Sequence, residues 1–193
     1  MSGFDHFSFL APFYERVISG RLSAELRAHL AITPGCVVLD AGGGTGRIAQ
    51  LLHTETDIVV VADASLGMLR EASQKEGLGP VGAEIEGLPF ADGTFDRVLM
   101  VDALHHVRNQ RETVAEMLRV LKPGGRLVIE EPDIESFAVK LVALAEKLAL
   151  MRSHFLRGEE IKALMDSKAG DVHVERKNHT VWVTFDKNDS CLT

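Results

Sequence analysis

Short apolar runs recur along the chain, separated by stretches of helical spacing. Cys36 to Leu39, Ile58 to Ala62, Phe95 to Val101 and Leu127 to Ile129 are rich in Val, Leu and Ile and alternate little, as strands covered on both faces of a parallel sheet do. A weaker run occupies Val81 to Ile85. Between these runs the spacing predicts helices over Arg47 to Leu52, Leu66 to Lys75 and Gln110 to Leu121. Asn109 stands as N-cap of the last, with Glu112 three residues on in a capping-box arrangement. Lys122-Pro123-Gly124-Gly125 ends that helix, because proline cannot continue it and glycine takes the positive φ of a turn. Beyond Pro132, Phe137 to Met151 and Glu159 to Met165 have helical spacing. Val172 to Glu175 and Val181 to Phe185 then alternate strongly across a polar turn at Lys177-Asn178-His179, which predicts a hairpin.

The pattern is that of an α/β protein with a Rossmann-like, seven-stranded mixed sheet: five parallel-type strands, a C-terminal antiparallel hairpin, and helices on both faces. The hairpin sets it apart from the all-parallel, six-stranded dinucleotide fold. Residues 1–33 predict one or two helices ahead of the sheet, with Pro34-Gly35 as the joint. The expectation is one domain over 1–193, comprising a helical lid (1–33), a ligand-binding core (34–132), a helical insertion (133–157), and a last helix with the hairpin (158–193).

The 193 residues carry 28 acids against 21 Lys and Arg, a net charge of −7, and are 46% hydrophobic. That composition suits a soluble globular unit and argues against a sequence-independent grip on a nucleic-acid backbone, which needs a basic face. The most apolar stretch, Phe137 to Met151, is interrupted by Lys140, Glu146 and Lys147 and falls short of the roughly 20 residues that cross a bilayer. Residues 1–30 carry charges throughout and have no continuous apolar segment of a secretory signal, so a cytoplasmic protein is expected. Cys36 and Cys191 have neither metal-ligand spacing nor the number for a disulfide framework, and read as a small buried residue and a tail thiol.

Asp40-Ala41-Gly42-Gly43-Gly44-Thr45-Gly46 lies directly after the first strand and before the first core helix. Glycines there permit a tight turn and let backbone N–H groups approach a ligand at a helix N-terminus. The spacing is G-x-G-x-G behind an acid, without the Lys-Ser/Thr of a phosphate-cradling loop. A carboxylate at Asp40 disfavours a pyrophosphate and favours an ammonium or water-bridged polar groups. Asp63 ends the second strand about twenty residues later, where an acid accepts the hydroxyls of a ribose; its alternative is the N-cap of the next helix, a task Ser65 does equally well. Together they point to a nucleoside, leaving open whether it is a dinucleotide.

These residues resemble the class I S-adenosylmethionine-dependent methyltransferases, particularly the small branch that includes the ubiquinone and menaquinone biosynthesis enzymes. The resemblance covers roughly residues 35–132. It is carried in order by Val38-Leu39-Asp40-Ala41-Gly42-Gly43-Gly44-Thr45-Gly46, Asp63-Ala64-Ser65 with Met68-Leu69, Leu88-Pro89-Phe90-Ala91-Asp92-Gly93-Thr94-Phe95-Asp96, Ala103-Leu104-His105-His106-Val107, and Arg119-Val120-Leu121-Lys122-Pro123-Gly124-Gly125. It implies S-adenosylmethionine as cofactor, S-adenosylhomocysteine as product and a small-molecule acceptor. The loop of Ala41, Gly42, Gly43, Gly44 and Gly46 would hold the methionine part, with Asp40 near its amino group. Asp63 and Ala64 would meet the ribose, Met68 would pack beside the adenine, and Asp102 and Ala103 would line the pocket. Where the family has Asp-Ala ahead of Leu-Pro-Phe, this chain has Glu84-Ile85; the longer acid would reach the adenine amino group and the Ile85 N–H the ring.

His105 and His106 are the candidates for chemistry, since neutral imidazole takes a proton from a nucleophile near pH 7; the alternative for each is a packed histidine at a strand end. Methyl transfer to a good nucleophile rests largely on alignment and requires no dedicated base. Glu131 and Asp133 could join Asp102 as metal ligands, but read better as a solvated loop, so no metal is expected. Tyr14, in the aromatic stretch from Phe4 to Tyr14, either covers the cofactor, as the resemblance implies, or packs on the sheet. The apolar face of Phe137 to Met151 either closes the acceptor pocket, packs on the sheet or joins two copies, so monomer and homodimer both stay open. Two other functions are a module that binds the cofactor without chemistry and an NAD-type oxidoreductase.

Overall fold

The computed structural model describes residues 23–136, 139–140, 153–165 and 169–189; Tyr14, most of Phe137 to Met151 and Cys191 lie outside them. Helix α1 (Ala24–Leu30) precedes β1 (Val37–Ala41), α2 (Arg47–Leu52), β2 (Ile58–Asp63), α3 (Leu66–Ala72), β3 (Leu78–Gly82), β4 (Phe95–Val101), α4 (Gln110–Val120) and β5 (Leu121–Pro132). α5 (Gly158–Lys162) and the hairpin of β6 (Gly170–Lys177) and β7 (Thr180–Lys187) follow. The strands form one seven-stranded sheet in the order β3-β2-β1-β4-β5-β7-β6. Strands β1 to β5 run parallel, while β7 pairs antiparallel with both β5 and β6.

Little alternation in the strands follows from burial on both sides. Leu39, Val98, Met100, Leu127, Ile129, Val183 and Phe185 face the layer of α4 and α5. Val38, Val59, Val61, Leu99, Val128 and Trp182 face α1, α2 and α3. Each interior strand therefore presents a full hydrophobic row to both layers. Cys36 is buried and free, as a small core residue.

Three expectations need correction. The third strand is Leu78–Gly82, not Val81 to Ile85; Ile85–Gly87 is a 3₁₀ turn. The strand was hard to read because Gly79, Pro80 and Gly82 weaken its pattern and an edge strand tolerates proline. Next, Asn109 caps α4 by accepting from the Glu112 N–H at 3.3 Å, but its own N–H goes to Glu86 Oε1 at 3.0 Å, so the capping box is only half made. Finally, the strand expected at Leu127 to Ile129 begins at Leu121, directly after α4, with Lys122 to Gly125 as an excursion inside it and Gly124 at the expected positive φ, 69°.

The segment from Leu88 to Asp92 is latched to α4 by one side chain. The Arg119 guanidinium donates to Leu88 O at 3.0 Å, Phe90 O at 2.8 Å, Asp92 Oδ1 at 2.8 Å and both oxygens of Glu116 at 2.8 Å. Glu116 in turn accepts from the Leu88 N–H at 2.9 Å. The pair with Arg119 holds the Glu116 carboxyl below its usual range despite the opposing effect of burial. Lysine has no planar fork with which to reproduce this set. Arg119→Lys is expected to lower the unfolding free energy by about 1–2 kcal/mol in urea titration; an unchanged midpoint would remove the latch from this account.

Candidate active site

The strand order reverses between β1 and β4, and such a switch point opens a crevice at the carboxyl ends of the strands. Here it is a cavity of about 860 Å³. Four acids stand along that edge: Asp40 in β1, Asp63 closing β2, Asp102 just after β4 and Glu131 near the end of β5. Asp40, Asp63 and Asp102 line the cavity.

Asp40 is 2% exposed, and its Oδ2 has no hydrogen-bond partner. Burial lifts its carboxyl from the ordinary 3.8 to about 7, with the Ala49 N–H acting against the rise and Asp63 adding to it. The room for this carboxylate comes from Gly43: a Cβ there would stand 2.6 Å from Asp40 Cγ and 2.7 Å from Oδ2. Gly46 serves differently. It has φ 72°, begins α2, and a Cβ on it would meet Leu78 Cδ1 at 2.7 Å.

The glycine loop does not offer its amides as the sequence suggested. Gly42 and Gly43 donate to Ala62 O at 2.8 and 3.3 Å, Gly44 to Asp63 Oδ2 at 2.9 Å and Gly46 to Gly43 O at 2.9 Å. The loop folds back onto β2, and closing that turn uses those N–H groups. Asp63 is not the cap of α3, a place taken by the Ser65 hydroxyl with the Met68 N–H. Its Oδ1 accepts from the Ser65 N–H at 2.8 Å and its Oδ2 from the Gly44 N–H at 2.9 Å.

Met68 is buried and lines the cavity beside Ala64, Glu84 and Ile85. Asp102 has φ 52°, a left-handed conformation uncommon away from glycine. Desolvation, reinforced by Glu131, lifts its carboxyl above the usual range. The strained residue turns the chain out of β4 so that Ala103 and His106 border the cavity.

The two adjacent histidines are placed differently. His106 lines the cavity, with Nδ1 3.3 Å from Ser153 Oγ. His105 is buried, lies outside the lining and sits with Nδ1 2.5 Å from Glu131 Oε2. Ala41 and Gly46 are also outside the lining. The sequence reading missed His154, Arg47 and Arg108, which do line it. His154 arrives from a segment some fifty residues beyond its neighbours, and no local motif marks it.

Glu131 and Asp133 are not in a solvated loop: they are 3% and 9% exposed. β5 continues to Pro132 and pairs with β7 up to Thr180, which covers them. Glu131 is held by the turn after β4, and Asp133 Oδ1 accepts from the Glu135 N–H at 3.0 Å. Among the described residues no cluster of three His, Cys, Asp or Glu could hold a metal.

A family model for a methyltransferase domain matches residues 39–129. The demethylmenaquinone methyltransferase of Corynebacterium urealyticum is 42% identical over 115 residues, 58% of this chain and 50% of that protein. That of Mycobacterium tuberculosis is 38% identical over 127 residues, 66% of this chain and 53% of its own length. The chain thus spans about half the length of the curated relatives it matches. Among solved structures, a Thermotoga maritima S-adenosylmethionine-dependent methyltransferase, described as a possible histamine N-methyltransferase, superposes with TM-score 0.77 at 25% identity, covering 94% of this chain and 98% of that one. One from Mesorhizobium loti gives 0.72 at 19% identity over 86% and 99%, a likeness of fold.

The raised Asp40 carboxyl makes a stability prediction. The folded state holds this proton more tightly than the unfolded chain, so its contribution to stability falls as pH rises from about 4 to about 7. Asp40→Asn removes that loss. Thermal melts of the ligand-free protein are expected to show the variant gaining on the parent between pH 5 and pH 8; an identical difference at both pH values would contradict the buried-carboxylate account.

Proposed function

We propose that the protein, whose residues 39–129 match a methyltransferase family model, binds S-adenosylmethionine in the edge cavity and transfers its methyl group to a small-molecule acceptor by direct displacement. The observation that carries this reading is the buried, unpartnered Asp40 Oδ2. An ammonium is the group that satisfies such an oxygen, whereas a pyrophosphate would be repelled by it. A nucleoside amino acid therefore fits the cavity better than a dinucleotide.

The other lining residues suit the same ligand. In this reading Asp63 accepts from ribose hydroxyls beside Ala64, Glu84 accepts from the adenine amino group, and Met68 and Ile85 give an apolar surface for the base. Gly42, Gly43 and Gly44 leave space for the methionine part, and Asp102 and Ala103 close the side toward the acceptor. When bound, the cofactor supplies a methyl group on a sulfonium, whose departing thioether is neutral. The protein's share is alignment and exclusion of water, with His106 the imidazole that would take a proton from an acceptor hydroxyl or amine. We assign acceptor recognition to residues 1–33, including Tyr14 as a cover, and 133–157. A demethylated quinone of the kind named for the relatives is the acceptor to try first. A cytoplasmic setting belongs to the same reading; among the described residues no helix is long and apolar enough to cross a membrane.

Calorimetry with S-adenosylhomocysteine is expected to show binding that Asp63→Ala weakens at least about tenfold, the loss of one or two charge-assisted hydrogen bonds. No heat at about 1 mM ligand, or equal affinity in the variant, would overturn the reading.

A further inference from the structure

Glu131 lies outside the cavity lining, yet three groups of the turn after β4 converge on it. Its Oε1 accepts from the Ala103 N–H at 3.0 Å and the Leu104 N–H at 2.7 Å, and its Oε2 faces His105 Nδ1 at 2.5 Å. All three donors belong to the turn whose Asp102, Ala103 and His106 line the cavity. A buried carboxylate that satisfies three donors in one turn leaves that turn a single arrangement.

His105 passes the constraint on. Its carbonyl accepts from the His154 N–H at 2.8 Å, and its ring stacks on Phe155 with centroids 4.3 Å apart and 14° between planes. It also meets the His106 ring at 4.0 Å. Ser153 reaches His106, and Gln110 Nε2 adds a second tie by donating to Leu104 O at 3.1 Å and His154 O at 2.6 Å. His154 thereby enters the cavity wall although its segment belongs to the insertion after β5.

We propose that Glu131 and His105 form a buried positioning pair that couples the cofactor-side turn at 102–106 to the acceptor-side segment at 153–155, so that both walls of the cavity are set by one carboxylate. His105 then acts through His106 and His154 and does not itself meet the acceptor. The consequence for methyl transfer rests on the function proposed above; the mechanical coupling does not.

The test is amide hydrogen exchange on the full chain, with Glu131→Gln, His105→Phe and, for comparison, Glu130→Gln. The last alters a neighbouring carboxylate that accepts from Trp182 Nε1 at 2.5 Å and is absent from the cavity. Phenylalanine keeps the stack on Phe155 but removes the bond to Glu131, so the two variants break the pair from opposite ends, and either suffices if the other fails to fold. Exchange at the His154 amide is expected to rise about tenfold or more in Glu131→Gln and His105→Phe, with the amides of Leu39 and Val98 at parental rates. Parental exchange at His154 in both variants would overturn the coupling. S-adenosylhomocysteine affinity is expected to fall in Glu131→Gln and to hold in Glu130→Gln; an equal fall in both would mark a general loss of stability and overturn the positioning role. Failure of the parent protein to bind would sink the function proposed above while the exchange result still decides the coupling.

Discussion

The arrangement depends on a carboxylate kept out of water. Asp40 sits at the end of β1, beside the point where the sheet reverses its order, with one oxygen unpartnered and with Gly43 as the reason it fits. An isolated buried charge is costly, and the rise of its carboxyl to about 7 expresses that cost. A fold that retains such a group loses stability near neutral pH unless a cation answers it. The glycine loop packs over this carboxylate at Gly43 and returns its amides to β2 and Asp63, which keeps the group out of water.

Much of the frame was legible along the chain. The interior strands announced themselves because burial on both faces demands continuous Val, Leu and Ile, and Phe95–Val101 is found with the same limits. The hairpin was equally plain from alternation, since one face of β6 stays exposed. What escaped was β3, whose glycines and proline carry no apolar signal, and the reach of β5 to Pro132, which turned Glu131 and Asp133 from apparent loop acids into buried ones.

The site divides in the same way. Asp40, Asp63, Met68 and the glycines come from segments contiguous in sequence, so a local motif could point to them. His154 and the linkage through Glu131 depend on contacts across 26 and more positions of chain, and no spacing rule reaches that far. His105 and His106 show the limit from another side: adjacent and chemically identical, they differ in that one meets Glu131 and the other lines the cavity.

The central claim is that the buried Asp40 oxygen awaits an ammonium, and pH-dependent calorimetry of two ligands tests it most directly. S-adenosylhomocysteine carries the amino acid part, whereas 5′-methylthioadenosine shares the nucleoside and lacks the ammonium. Because binding an ammonium favours the ionised carboxylate, affinity for the first should rise about tenfold from pH 6 to pH 8, through the Asp40 value near 7, while affinity for the second does not rise. The same pH profile for both ligands would contradict the account.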